Sequence, residues 1–165
     1  MIERTFVAIK PDGVQRAIIG RIIQRFEDAG LKIIGMKMKW VDKDFASRHY
    51  TEDIAERRGK HVRNWLLDFI TKGPVIAMVL EGVEAIEVVR KLIGGTEPKT
   101  AAPGTIRGDF THVSYGMGDK MKRTIPNVVH ASANKADAEH EIALWFTVDE
   151  LYNYRTVHEI HTHLM

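Results

Sequence analysis

The apolar and polar positions of this chain follow two periods, and the switches between them mark its elements. Thr5-Phe-Val-Ala-Ile-Lys10 is a β-branched and aromatic run that stops at Pro11-Asp12-Gly13, so it reads as a strand entering a turn. Ile19, Ile22, Ile23 and Phe26 recur at helical spacing and give one apolar helix face, closed by Gly30. From Leu31 to Trp40 the period returns to that of a strand. Ile34, Met36, Met38 and Trp40 fall on one side and Lys37 and Lys39 on the other, which predicts a half-buried strand with the methionines as core filler. Asp42 or Asp44 is placed to cap a following helix. The stretch 44–72 is helical in character, with a break near Gly59. Val75-Ile-Ala-Met-Val-Leu80 is a continuous apolar run, the pattern of a central strand, and Ala85, Val89, Leu92 and Ile93 mark another helix that ends at Gly94-Gly95. Between Thr96 and Pro126 periodicity disappears and Pro98, Pro103 and Pro126 intervene, so a long loop is expected. Asn127-Val-Val-His130 then reads as a short strand, and Asn134 caps a helix running to about Phe146.

The resulting order, β-α-β-α-α-β-α-loop-β-α, predicts an α+β fold. Its sheet is antiparallel and covered by helices, of the ferredoxin-like (split βαβ) type. The 165 residues fit a single domain spanning 1–165, long enough to bury a full core. With 44% hydrophobic and 28% charged residues, the composition excludes a disordered chain. No apolar run approaches the ~20 residues of a bilayer span, so no membrane partner is expected. Met1-Ile2-Glu3-Arg4 does not begin a signal peptide, and a cytoplasmic protein is expected. Cysteine is absent, which removes disulfides, thiolate chemistry and Cys-based zinc sites. A net charge of +2 is too small to argue for nucleic acid, and the strands lack the alternating exposed aromatics of an RNA-binding sheet.

Candidate chemistry gathers at element ends: Lys10, Arg90, Arg107, Asn127 and His130. Arginine matches phosphate with a planar two-pronged fork, and lysine adds a compact charge. Singly, such residues are usually solvated surface. The familiar nucleotide signatures are missing. There is no Gly-x-x-x-x-Gly-Lys-Ser/Thr loop, no His-Arg-Asp catalytic loop and no Asp-Phe-Gly motif, so phosphoryl chemistry here needs another design.

Asn127-Val-Val-His130-Ala-Ser132 followed by Glu141-Ile-Ala-Leu-Trp-Phe146 resembles the active-site signature of the nucleoside diphosphate kinases. Lys10-Pro-Asp-Gly-Val, His49-Tyr50, Gly73-Pro-Val-Ile-Ala-Met-Val-Leu-Glu-Gly82 and Pro103-Gly-Thr-Ile-Arg107-Gly-Asp109 resemble further family segments in the same order. The resemblance implies a phosphotransferase that moves the γ-phosphoryl group from a nucleoside triphosphate, mainly ATP, to a nucleoside diphosphate. The route it implies is ping-pong, through a phosphohistidine on His130. A neutral imidazole is nucleophilic near pH 7, which suits that role. By the same resemblance Lys10, Tyr50, Arg90, Thr96, Arg107 and Asn127 bind the nucleotide, and Val62 and Leu66 stand at the base. Lys10 also counts among the catalytic residues with His130, and Ser132 and Glu141 support the histidine. Mg²⁺ rides on the nucleotide phosphates with no protein ligands of its own, and the protein is a homo-oligomer, a hexamer ahead of a tetramer. A non-catalytic module of the same fold would have no reason to keep these residues together.

Several positions depart from the family pattern. Ala131 and Ala133 replace a glycine and an aspartate, about a dozen residues are added between Asp109 and Pro126, and others near Ile54–Arg58. Val62 stands where the family has a base-stacking phenylalanine, with His61 and Trp65 as neighbouring substitutes. His158, His161 and His163 are expected to be solvated tail residues rather than a metal site.

Overall fold

The computed structural model of the protein describes residues 1–162. Its elements run β1 (Ile2–Ile9), α1 (Pro11–Gln15), α2 (Ile19–Asp28), β2 (Lys32–Lys39), α3 (Lys43–His49), α4 (Glu52–Arg58), α5 (Lys60–Ile70), β3 (Val75–Val83) and α6 (Ala85–Ile93). After a single turn at Pro98–Thr100 come α7 (Ile106–Phe110), α8 (Tyr115–Lys120), β4 (Val129–Ala131), α9 (Lys135–Trp145), a turn at Val148–Glu150 and α10 (Glu159–Thr162). The strands form one four-stranded sheet in the order β2-β3-β1-β4, each pair antiparallel. That is the expected split βαβ arrangement, because β3 lies between β1 and β2 and β1 lies between β3 and β4.

β1 from Phe6 to Ile9 and β3 from Val75 to Leu80 are apolar at every position because helices cover both faces of the sheet. Val7, Ile9, Ile76, Met78 and Leu80 join Ile22 and Phe26 of α2 and Val89 and Ile93 of α6 in one core. Phe6, Ala8, Val75, Ala77 and Val79 point the other way, to Phe45 of α3, Ile70 of α5 and Trp145 of α9. Alternate residues of one strand therefore feed two cores, and the continuous run at 75–80 is legible for that reason. Asp42 caps α3 by accepting from the Phe45 N–H at 2.8 Å, and Asn134 caps α9 by accepting from that of Asp137 at 2.9 Å. Gly59, with φ +96°, makes the break between α4 and α5. No helix among the described residues is long and apolar enough to cross a membrane.

Strand β2 departs from its expected orientation. The register slips between Ile33 and Gly35, so a bulge inserts one residue and reverses the alternation beyond it. Ile34 is buried in the second core, while Met36, Met38 and Trp40 are 55, 58 and 67% exposed on the opposite side of an edge strand. They are not core filler. The lysines between them lie inward, Lys37 over the Phe146 ring and Lys39 over that of Phe45. Other boundaries moved as well. Pro11-Asp12-Gly13 starts a short helix, with proline at a first-turn position where its missing N–H costs nothing. The 96–126 segment carries helical turns, and β4 begins at Val129 rather than Asn127. His158 and His161 are exposed, and His163 lies outside the described residues.

Candidate active site

The short strand β4 is where the site begins. It pairs with β1 through Val7↔Ala131, Ala8↔His130 and Ile9↔Val129, which puts His130 on the face of the sheet covered by α9. The residue before this strand, Val128, has φ +58°, a conformation a β-branched side chain rarely adopts. The Lys10-Pro-Asp-Gly segment holds it there. The Lys10 N–H donates to the Val128 carbonyl at 2.8 Å, and the Val128 N–H donates to Asp12 Oδ2 at 3.0 Å. Gly13 is required for the same reason, since a Cβ there would stand 2.7 Å from Ile9 Cγ2 and 3.2 Å from the Val128 carbonyl oxygen. The motif seen in the sequence is thus a clamp on the strand that carries the histidine.

His130 Nε2 lies 2.6 Å from Glu141 Oε1 of α9, and the other carboxylate oxygen, Oε2, accepts from Ser132 Oγ at 2.6 Å. Ser132 Oγ in turn accepts from the Phe6 N–H at 3.2 Å. Burial works to raise the Glu141 carboxyl, but His130, His49 and Ser132 outweigh it and hold it below the ordinary range. A carboxylate on Nε2 assigns the ring proton to that nitrogen and leaves the Nδ1 lone pair free. Nδ1 has no protein partner among the described residues.

His49 packs edge-on against His130, ring centroids 4.7 Å apart, and its Nδ1 accepts from Trp145 Nε1 at 3.3 Å. Burial first, then the nearby His130, lowers its pKa to about 3, so this imidazole is neutral at any working pH. The motif His49-Tyr50 was visible in the sequence, but this wall beside His130 was not. The adjacent Tyr50 is buried, and its phenol is pushed further up by burial, so it also stays neutral.

A cavity of about 610 Å³ opens in front of His130, within the range of small-molecule sites. Lys10, Tyr50, Val62, Leu66, Arg90, Thr96, Arg107, Asn127, His130 and Glu141 all line it, while Ser132 lies fully buried beneath. Lys10 Nζ donates to Asn127 Oδ1 at 2.6 Å, and Asn127 Nδ2 donates to the Thr96 carbonyl at 2.8 Å. Arg107, on α7, donates to the backbone carbonyls of Asn127, Gly94 and Val129 at 3.3, 2.9 and 2.8 Å. Neither cation has a carboxylate partner among the described residues. Burial, then Arg107, lowers the Lys10 pKa to about 8; burial lowers that of Arg107 to about 10. Buried positive charge without a counter-ion is costly, and a bound anion would relieve that cost. Arg90 is exposed at the rim.

The base end is less polar. Val62, Trp65 and Leu66 share one face of α5 and line the cavity. His61 is exposed and does not line it; it meets Trp65 edge-on instead, at 5.0 Å. Tyr115, Gly118, Arg123 and Ile125 form wall that the sequence did not mark as such, because the 96–126 segment has no period from which a buried side can be read.

Fold and site define a class: a split βαβ sheet that presents a carboxylate-oriented imidazole to a small cavity lined with cations. A nucleoside diphosphate kinase family model matches residues 3–151, and the chain belongs to that family. It is 49% identical over 156 residues to a nucleoside diphosphate kinase of Borreliella burgdorferi, covering 94% of this chain and 93% of that one. It is 53% identical over 153 residues to that of Pyrococcus furiosus, covering 93 and 88%. Among solved structures, the Borrelia burgdorferi nucleoside-diphosphate kinase, a transition-state mimic with bound vanadate and ADP, superposes with a TM-score of 0.97. That pair is 47% identical and covers 99 and 98% of the two chains. A halophilic nucleoside diphosphate kinase from Halobacterium salinarum in complex with CDP gives 0.83 at 42% identity, covering 98% of each.

Proposed function

We propose that the protein transfers the γ-phosphoryl group of a nucleoside triphosphate, mainly ATP, to a nucleoside diphosphate in two half-reactions through His130. The observation that carries this reading is the His130–Glu141 contact, which leaves Nδ1 unprotonated on a ring lining a cation-rich cavity. In the first half-reaction the Nδ1 lone pair attacks the γ-phosphorus. The N–P bond forms as the bond to the bridging oxygen breaks, and that electron pair leaves on the β-phosphate of the diphosphate product. The ring gains positive charge, which the Glu141 carboxylate offsets through Nε2–H, and Ser132 fixes the carboxylate. The second half-reaction reverses these steps with the acceptor diphosphate. Lys10, Arg90 and Arg107 hold the phosphates and meet the charge that spreads over the transferring oxygens. Thr96 and Asn127 place the phosphates and sugar, and Tyr50 stands beside them. Incubation with γ-labelled ATP should give an acid-labile phosphoenzyme that GDP discharges. Absence of that species would rule out the covalent route.

Mg²⁺ fits this site as a companion of the nucleotide. The close group of metal-capable side chains among the described residues is His49, His130 and Glu141, largely nitrogen, whereas Mg²⁺ takes oxygen ligands. Bound to the phosphates, the ion would neutralise part of their charge.

The Lys10 shift gives this reading a pH signature. The ammonium is intact below pH 8 and loses its proton as pH rises through about 8 in the empty site. The kcat/KM, which reports the free enzyme, should therefore fall above pH 8. Lys10→Met should be weaker throughout and lose that limb. An unchanged limb in the variant would assign it to another group.

Val62 has no π face, and base–aromatic stacking is worth ~1–3 kcal/mol. Val62→Phe is expected to tighten nucleotide binding severalfold, and Trp65→Ala to weaken it, with His61→Ala close to wild type. Isothermal titration with ADP decides; no gain from Val62→Phe would place the base elsewhere.

We also propose a homo-oligomer, a hexamer ahead of a tetramer, located in the cytoplasm. The outer edge of β2 supports self-association. Residues 152–154 cover its first half, with the Tyr152 N–H donating to Ile34 O at 2.7 Å and Tyr154 Oη to Ile33 O at 2.6 Å. The half carrying Met36, Met38 and Trp40 is left open and apolar, which is how an edge strand accepts a partner. The double substitution Met36→Glu with Met38→Glu should reduce the molar mass in light scattering, and an unchanged mass would move the contact to the 114–122 segment.

A further inference from the structure

We propose that the Tyr115 hydroxyl is a substrate-binding group that donates a hydrogen bond to the phosphate chain of the bound nucleotide. The inference rests on the nucleotide-transfer reading above and adds a residue to it. Tyr115 opens α8 within the segment that shows no periodicity, yet its position is fixed. Its backbone N–H donates to Glu97 Oε1 at 2.8 Å, the Ser114 side chain caps the same turn by accepting from Met117 N at 3.3 Å, and the Lys99 N–H donates to the Val113 carbonyl at 3.1 Å. These bonds tie residues 113–115 to 97–99, directly after Thr96, whose carbonyl accepts from Asn127. The ring is 43% exposed and lines the same cavity as His130 and Arg107.

The hydroxyl makes no hydrogen bond among the described residues. Tyr115 also stands close enough to Arg107 to act against the lowering that burial imposes on the guanidinium. A phenol near a guanidinium that is itself poised for phosphate has one evident use for its free O–H, which is to donate to the same anion. The groups that carry the phosphate charge, Lys10, Arg90 and Arg107, are cations, and a further neutral donor adds direction without adding to the repulsion between Lys10 and Arg107. Tyr50 does not substitute for it: that ring is buried, whereas Tyr115 stands at the rim.

Tyr115→Phe removes only the hydroxyl. Dissociation constants for ADP and for tripolyphosphate, which has no base or sugar, are measured by calorimetry on wild type, Tyr115→Phe and Tyr115→Ala. Exchange rates and melting temperatures are taken in parallel. The expected result is a loss of about 10-fold for both probes in Tyr115→Phe, the effect of one hydrogen bond to a charged group. Tyr115→Ala should lose about as much, the melting temperature should not move, and KM should rise more than kcat falls. Wild-type affinity in Tyr115→Phe overturns the proposal. So does a loss confined to ADP and to Tyr115→Ala, which would put the ring against the base. If wild type binds neither probe and forms no phosphoenzyme, the nucleotide-transfer reading itself has failed.

Discussion

His130→Ala is expected to abolish phosphoryl exchange, by roughly 10⁴-fold or more, because a ping-pong route offers no bypass for its nucleophile. The variant should also give no acid-labile phosphoprotein. It will not be neutral for stability. Glu141 loses its 2.6 Å partner while remaining buried and bonded to Ser132, a loss of about 1–3 kcal/mol. Assays should therefore run well below the melting point. Glu141→Gln probes the second half of the argument. It keeps the shape, removes the charge that offsets the developing imidazolium, and should slow the phosphoenzyme step roughly 10²-fold while leaving nucleotide affinity near wild type. Measured exchange above a trace in His130→Ala, or an unimpaired Glu141→Gln, would remove Nδ1 attack as the mechanism.

Arg107→Ala and Arg90→Ala should both depress kcat/KM, by roughly 10²-fold or more for Arg107, and similarly for ATP and GTP because phosphates are common to both. Their stabilities should differ sharply. Arg107 is 6% exposed and donates to the carbonyls of Asn127, Gly94 and Val129, so its loss unties the end of α6 from the start of β4. The uncovered acceptors should destabilise the fold by about 3 kcal/mol, read as a lower denaturant midpoint. Arg90 is exposed at the cavity rim, with no ion pair among the described residues, and Arg90→Ala should melt with wild type. Equal stabilities would mean that the Arg107 anchorage is not a structural tie. A large difference between ATP and GTP in either variant would mean that it does not contact phosphate.

The pattern along the chain was sufficient for the sheet and the helices over it. Val75–Leu80 and Phe6–Ile9 are apolar at every position because both faces of a central strand are covered, and that demand is written residue by residue. Asp42, Asn134 and Gly59 are legible for a similar reason: a cap or a positive φ is a local requirement, met by a few residue types. Lys10, Arg107, Asn127, His130 and Glu141 stood out through their motifs, and the cavity gathers them as the motifs implied.

Tertiary structure decided what depends on neighbours distant in the chain. The face of β2 could not be read from its alternation, because a bulge is set by the register against β3 and by residues 152–154 seated on Ile33 and Ile34. A one-residue slip sends every later side chain to the opposite side, so Met36 and Met38 face outward and the lysines inward. The 96–126 segment carries no period because its elements are short separate turns, and Tyr115 lines the cavity from a turn tied to Glu97 and Lys99. Charge state was likewise hidden. A lysine in a sequence has its solution pKa; Lys10 reaches about 8 because folding buries it beside Arg107, and together these outweigh the nearby Asp12. The order of residues specifies the available chemical groups and the sheet that holds them. Their burial, pairing and aim arise from long-range contacts, which no local pattern records.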